Sequence, residues 1–335
     1  MTESTHILCA EHGEGNPLWT VAIFSSREPA DILAATLMAA IEAIKGVRAV
    51  IDVVVNGNEV LARQFSEVAM ASSAGWSKYC VVRVWYIQGA DKAHAWNQYV
   101  HMIWPGSAIA FFVDGYARVK SDAFHLIASG LDGVPTALGA SGVPTVGRHA
   151  RRLREEMMKN GGIHGNLYAL RGEVMCRLRA GGIRLPVSIY RTDSTLGAVI
   201  NFNLNPHLNP WDPRRMFVHP DATWDFVPLN WANLCDLKSH WKRVARQAQG
   251  DLENAAVKNH LAIHKRSPEA LPRTTMELIG GWIASNRREA YTMFLRGPLR
   301  LLAWQKLKRS TPMQGLDVPP RLIYQTQPQY DKVTR

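Results

Sequence analysis

Cysteine is scarce in this chain. Among its 335 residues there are four, Cys9, Cys80, Cys176 and Cys235, and no two form a Cys-x-x-Cys pair. That spacing argues against a disulfide framework or a zinc knuckle and for a reducing compartment. No apolar run approaches about 18 residues, so no transmembrane helix is expected. The amino terminus, MTESTHILCAEHGEGN, lacks the basic and apolar regions of a signal peptide and reads as a flexible lead. There is no GxxxxGK[ST] loop and no GxSxG elbow, which excludes a P-loop and gives no sign of a nucleophile elbow. Gly13-Glu14-Gly15 opens like a dinucleotide fingerprint but lacks the third glycine and precedes the first strand. His260 and His264 stand one helical turn apart without the Glu of HExxH, and read as a surface pair. No internal repeat or low-complexity tract is present.

What the chain has is positive charge. Lys and Arg number 39 against 28 Asp and Glu, a formal net charge of +11. Such a balance favours nucleotide phosphates, an anionic membrane surface or nucleic acid, or is simply a basic surface. No helix-turn-helix, zinc or RNP signature is found and the basic residues are dispersed, so no nucleic-acid partner is expected. Four short apolar runs, Leu18–Ser25, Val50–Val55, Val81–Ile87 and Ile109–Val113, alternate with helical patterns over residues 29–45, Val60–Ala71 and Asp91–Trp104. This order predicts an α/β domain with a mostly parallel central sheet and helices on both faces. Further on, the patterns predict strands at Pro135–Ala140, Asn166–Leu170, Arg214–Val218 and Thr223–Val227. Helices are predicted at Ser121–Ser129, His149–Lys159, Gly172–Ala180, Thr192–Ile200 and Asn233–Asn259, and a linker at Ser267–Arg273.

The chain is organised around AIAFFVDGYARVK, Ala108–Lys120. An apolar run there ends abruptly in Asp114, followed by Gly115 and Tyr116. A carboxylate at the carboxyl end of a buried strand stands where α/β sheets bind ligands. The alternative is that Asp114 caps the helix that follows.

Four stretches in order carry a resemblance: AIFSSREPADIL from Ala22, VIDVVVNGN from Val50, ADKAHAWNQYVHMI with AIAFFVDGYARV, and HGNLYALRGEV with RTDSTLGAVI. Together they resemble the family 2 glycosyltransferases of the GT-A fold, over about Leu18 to His260. The resemblance implies a Rossmann-like GT-A domain over residues 18–265, followed by a basic helical extension over 266–335. It implies an inverting transfer of a sugar from a nucleotide-diphosphate donor to a hydroxyl of a saccharide or lipid-linked acceptor, in surface-polysaccharide or glycolipid assembly. In this correspondence Ser26 and Glu28 follow the first strand. Asn56 takes the place of the usual base-reading Asp. Lys92 and Asn97 match a Gly-Lys-x-x-x-x-Asn stretch. Asp114 and Tyr116 fall on the DxD-type motif, its last Asp replaced by tyrosine. Asp114 is implied to bind the donor or a divalent metal, Mg or Mn, with His219 in FVHP as a candidate second ligand. Asp193 corresponds to the late acidic residue, and is the expected general base, with helix capping as the alternative. Arg243 and Arg246, about one turn apart, are candidates for the diphosphate, or else line an exposed basic helix face.

The segment Trp282–Arg309 differs in character. Trp, Tyr and Leu are interleaved with Arg and Lys, and Pro298 divides it. It suits a helix lying on an anionic membrane, or one packed on the domain. These features predict a cytoplasmic chain, peripheral on the inner face of the membrane where that segment meets lipid. Two other enzyme-like readings stand beside the transferase: a sugar nucleotidyltransferase, disfavoured by the lack of a glycine-rich basic loop after the first strand, and a degenerate protein that binds nucleotide-sugar without turnover.

Overall fold

The computed structural model describes residues 17–72, 76, 80–147, 150–226, 234–310 and 313–326, and between 234 and 245 the backbone alone. In chain order the first half runs β1 (Trp19–Ser25), α1 (Ala30–Ala43), β2 (Ala49–Asn56), α2 (Glu59–Ser72), β3 (Cys80–Ile87), α3 (Lys92–Gln98) and β4 (Ile109–Asp114). The second half adds β5 (Arg118–Val119), α4 (Ala123–Gly133), β6 (Gly139–Pro144), α5 (Ala150–Asn160), β7 (Tyr168–Arg171), α6 (Gly172–Ala180), α7 (Thr192–Asn201), β8 (Met216–Asp225) and α8 (Leu234–Lys258). Three helices follow, α9 (Thr275–Ser285), α10 (Arg287–Arg296) and α11 (Pro298–Arg309), and then β9 (Arg321–Gln325).

Every residue of β1 is buried, as a strand covered on both faces requires. β1 pairs in parallel with β2 on one side and β4 on the other, and β2 with β3. The full order is β5-β8-β6-β7-β4-β1-β2-β3-β9. The four parallel strands therefore lie together, and antiparallel pairings to β7 and β9 flank them. Side chains alternate between two cores. Val21, Ile23, Ile51 and Phe111 pack with α1, α2 and α4. Ala22, Phe24, Val54 and Phe112 pack with α3, α6, α7 and α8. The register places Phe24 beside Asp114, Ser25 beside Val55 and Asn56 beside Ile87. Four strand ends thus reach one carboxyl edge, which is where the site is found.

Several boundaries differ from those the sequence predicts. The helix expected to Trp104 stops at Gln98 and widens into a π-helical turn, Tyr99–Ile103. There the Arg179 guanidinium takes the Val100 and Trp104 carbonyls. The strand expected at Pro135–Ala140 begins only at Gly139. The two strands expected across residues 214–227 are one, β8, with a break in register opposite Ser141 and Val143. His219 Nδ1 accepts the Asp221 and Ala222 amides at that irregularity. Cys176 on α6 is disulfide-bonded, where the cysteine spacing led us to expect free thiols. Cys80 is a buried free thiol, pushed up to about 12 by burial.

The segment after residue 266 is tied to the rest of the molecule. Leu278, Trp282, Ala290 and Leu307 join the same core as α8. Arg300 holds Asp251 of α8 at 2.8 Å. β9 adds an antiparallel edge strand to β3, and Thr326 Oγ1 accepts the Val82 amide.

One charged pair is built into the parallel sheet. Asp52, fully buried on β2, faces Arg83 directly across on β3. Arg83 Nε and Nη2 reach its two oxygens at 2.6 and 2.9 Å, and Trp85 Nε1 adds a third bond at 2.8 Å. Burial pushes the Asp52 carboxyl up, and the guanidinium and indole pull against it. Removing one partner of such a pair leaves the other charge buried and uncompensated. Asp52→Ala is expected to cost about 3–5 kcal/mol, measured by urea unfolding, and a paired Asp52→Leu/Arg83→Met change should recover most of it.

Candidate active site

Three elements meet at the carboxyl edge. β4 delivers Asp114 as its last residue, α3 begins with Lys92, and α7 carries Asp193 in its first turn. Between them runs the loop His164–Asn166, just before β7. The Lys92 ammonium lies 2.5 Å from Asp114 Oδ1. Lys92 Nζ, Asp193 Oδ2 and Asp114 Oδ2 all crowd the side of Gly165, where a Cβ would stand 2.8, 3.2 and 3.4 Å from them. Glycine is needed there because a side chain would fill the space the three charged groups share.

Neither aspartate is spent on capping. Asp122, and not Asp114, precedes α4. α7 has no side-chain cap; Asp193 instead accepts the Gly165 amide at 3.0 Å on Oδ2 and the Thr192 hydroxyl at 2.8 Å on Oδ1. Each oxygen keeps a lone pair for a further proton or donor. Burial works against the Asp193 charge, but the Lys92 ammonium and these donors outweigh it, so the carboxyl sits below its ordinary value. Asp114 is pushed up by burial, with Lys92 pulling the other way. Burial likewise opposes the Lys92 charge, yet Asp114, Asp193 and Glu28 hold the ammonium above its usual range.

Glu28 reaches the same region from the loop after β1. Its Oε2 accepts the Ser25 hydroxyl at 2.7 Å, the Ser26 amide at 2.9 Å and the Arg27 amide at 3.1 Å. Burial raises its pKa and these bonds more than reverse that. Ser26 also gives its carbonyl to Asn58, which caps α2 through the Leu61 amide. The Asn56 amide, oriented to satisfy both its ends, donates to the Ser25 carbonyl at 2.9 Å and accepts the Asp91 amide at 3.2 Å. Asn56 therefore braces the strand ends through backbone groups. Gly57 beside it has φ +71° and lies against Ala90, where a Cβ has no room.

Tyr116, two residues after Asp114, donates to Asn166 Oδ1 at 3.0 Å and lies 3.4 Å from Asp114 Oδ2. His219, the candidate second ligand, has other neighbours. Its ring packs against Gly130 of α4 and Phe217 and its Nδ1 is taken by two amides, whereas the groups acting on Asp114 are Lys92, Asp193 and His164. Among the described residues no three His, Cys, Asp or Glu side chains gather as a metal cage. The charge balance still suits a hard cation, with Glu28, Asp114 and Asp193 set around one ammonium. A site of that type takes one or two carboxylates and completes its shell with water and substrate phosphates. Arg246 is exposed on α8; the Arg243 side chain lies outside the described residues.

His164 is a member of this cluster that was not singled out in the sequence. Its ring packs at a tilt 4.8 Å from Trp224 beside the two aspartates, and burial lowers its pKa against their pull, leaving it neutral near pH 7. The HGN turn before a strand was the available signal. The way Asp193 is held depends on contacts distant in the chain. Asp91 accepts the Ser188 amide, and Asn97 exchanges two bonds of 2.8 Å with Leu185. From the other side, the fully buried Glu253 of α8 accepts the Tyr190 and Arg191 amides at 2.8 and 3.0 Å. The segment leading into Asp193 is clamped between α3 and α8.

No protein-family model matches the chain, and no curated protein matches it in sequence. Among solved structures it is similar to the mannosyltransferase PcManGT of Pyrobaculum calidifontis, solved in complex with GDP-Man and Mn2+. That likeness covers 87% of this chain and 84% of that one at 18% identity, with a TM-score of 0.51. The fold is that of the GT-A glycosyltransferases. A second likeness, to S. aureus TarS residues 1–349, covers 85% of this chain and 78% of that one at 10% identity and a TM-score of 0.50. The GT-A architecture read from the order of motifs thus agrees with these neighbours.

Glu253→Ala would leave the Tyr190 and Arg191 amides without their buried acceptor, and each such loss costs about 1–3 kcal/mol. The variant is expected to unfold at correspondingly lower urea concentration, and Glu253→Gln, which keeps an acceptor oxygen, at an intermediate one.

Proposed function

We propose that this chain is a glycosyltransferase that uses a nucleotide-sugar donor and inverts the anomeric carbon. The observation that carries the reading is the meeting of Lys92, Asp114 and Asp193 at the carboxyl edge of the parallel strands. Open α/β sheets bind nucleotides at that edge, and the GT-A fold gives the nucleotide-sugar reading its support.

In this reading Asp114 and Glu28 face the donor, and Lys92 offers the charge that meets the departing diphosphate. The acceptor hydroxyl lies within hydrogen-bond reach of Asp193. As its oxygen bonds to the anomeric carbon, its proton passes to a free lone pair of Asp193, and the bond from that carbon to the diphosphate oxygen breaks with the electron pair leaving on the diphosphate. Attack from the side opposite the leaving group inverts the centre. Thr192 and Gly165 fix the Asp193 carboxylate so that little is lost to reorientation. A divalent cation, if the donor brings one, would be held by Asp114 together with the donor's phosphates and would offset diphosphate charge. The acceptor is a saccharide or lipid-linked hydroxyl in polysaccharide or glycolipid assembly.

A panel of UDP, GDP, CMP and ATP in a thermal-shift assay, with and without Mn2+, tests the donor half. Three carboxylates around one ammonium repel a bare diphosphate, so a nucleoside diphosphate should raise the melting temperature more with the metal than in EDTA. No shift with any nucleotide would count against the reading. Asp193→Asn tests the other half. It keeps the Gly165 and Thr192 contacts within reach but cannot take the proton, so turnover should fall about 10²–10⁴-fold with nucleotide binding nearly unchanged. Because the Asp193 carboxyl is held below its ordinary value by the Lys92 ammonium and its hydrogen-bond donors, it is ionised at neutral pH and sets no acid limb there. Wild-type turnover by Asp193→Asn would move the base elsewhere.

A further inference from the structure

We propose that α10 and α11 form a docking face for an anionic lipid bilayer. The inference is independent of the transferase reading, because neither the observations nor the test involves sugar transfer.

Each of these helices has one side spent on the protein. Ala290 on α10 and Ala303 and Leu307 on α11 are buried, and Arg300 is held by Asp251 of α8. The opposite sides are not covered by any described residue. Tyr291 and Leu295, one turn apart on α10, are 65% and 67% exposed, and Leu302 on α11 is 57% exposed. Leu299 and Leu301 are exposed as well. Single exposed leucines need no explanation, but this many large apolar side chains within two consecutive short helices do.

Their neighbours give the identity of what covers them. Arg287, Arg288, Arg296, Lys306, Lys308 and Arg309 are all exposed on the same two helices, against one acid, Glu289. On α11 the exposed positions Leu299, Leu302, Lys306 and Arg309 follow one another at spacings of three and four, so leucine and cation share a face. A second copy of this chain would bring like charges together across a two-fold interface. A nucleic acid would meet the cations but leave the leucines in water. An anionic bilayer meets both, with the leucines and Tyr291 at the acyl boundary and the cations among the headgroups. Trp304, half-buried with Lys308 5.8 Å over its ring, fits the same boundary. Among the described residues no helix is long and apolar enough to cross a membrane, so the contact is with a surface.

The full chain should co-sediment with phosphatidylserine-containing vesicles and not with pure phosphatidylcholine, and the bound fraction should fall as salt is raised. Leu295→Glu/Leu302→Glu should weaken binding about tenfold or more, since it removes apolar contact and adds charge repelled by the lipid. Lys306→Gln/Lys308→Gln/Arg309→Gln should flatten the salt dependence. All these positions are exposed, so circular dichroism and the melting temperature should match wild type, and they verify that the fold is intact. Equal vesicle binding by wild type and the leucine double variant would overturn the proposal. So would failure of the intact chain to bind the anionic vesicles, or light scattering that shows a dimer dissolved by the same double variant. Binding to oligonucleotides lost only with the cations, without vesicle binding, would overturn it in favour of nucleic acid.

Discussion

The Lys92 ammonium is the constraint on which the site depends. Two carboxylates that share a small, half-buried space cannot both stay ionised without a countercharge. Lys92 supplies it for Asp114 and Asp193 together, with Glu28 close enough to add to its field. For this to happen, the end of β4, the start of α3 and the start of α7 must arrive at one place, and the loop between β6 and β7 must pass there without a side chain. Gly165 meets the last condition. Parallel strands of matched register meet the first, since they end level and present their last residues along one edge.

The same geometry links stability to chemistry. α3 rests on an aromatic layer over the sheet, in which Phe112 stacks on Tyr168 at 4.6 Å and Trp96 donates to the Tyr168 hydroxyl. That layer sets the direction of α3, and hence of Lys92. α3 then fastens the segment entering α7 through Asp91 and Asn97, while Glu253 fastens it from α8. Asn97, matched by motif order, thus acts here on the backbone of Leu185. A buried amide that trades two hydrogen bonds with the backbone of one residue is a rigid spacer, and it fixes the distance between the elements that bear Lys92 and Asp193.

What was legible in the sequence followed from pattern. The parallel strands are continuous apolar runs closed by polar residues, so their existence, order and common edge could be read, and Asp114 with them. Lys92 and Asp193, which meet beside Asp114, were singled out by motif order, since neither has a local signal beyond its helix start. What could not be read depends on partners far away in the chain. Asp52 looks like an interruption in AVIDVVV until Arg83 is seen opposite it. β9 has exposed and half-exposed residues only and exists because β3 offers it an edge. His219 was attractive as a lone histidine at a strand end, yet its Nδ1 is used by the irregularity in β8. Periodicity reports the burial of a residue; it does not report which polar group will face it.

Tyr116 ties the turn that follows Asp114 to the rest of the site. A second carboxylate two residues after Asp114 would add to the charge that Lys92 has to balance. The phenol removes that charge and uses its proton on Asn166, so the turn after β4 is joined to the loop that carries Gly165. Asp114 Oδ2 then has only a 3.4 Å approach from the phenol, whereas Oδ1 is held firmly by the ammonium. One oxygen of Asp114 is therefore committed to the protein and the other is left the freer to meet a ligand. The phenol at position 116 thus supplies a positioning bond and brings no charge of its own to the site.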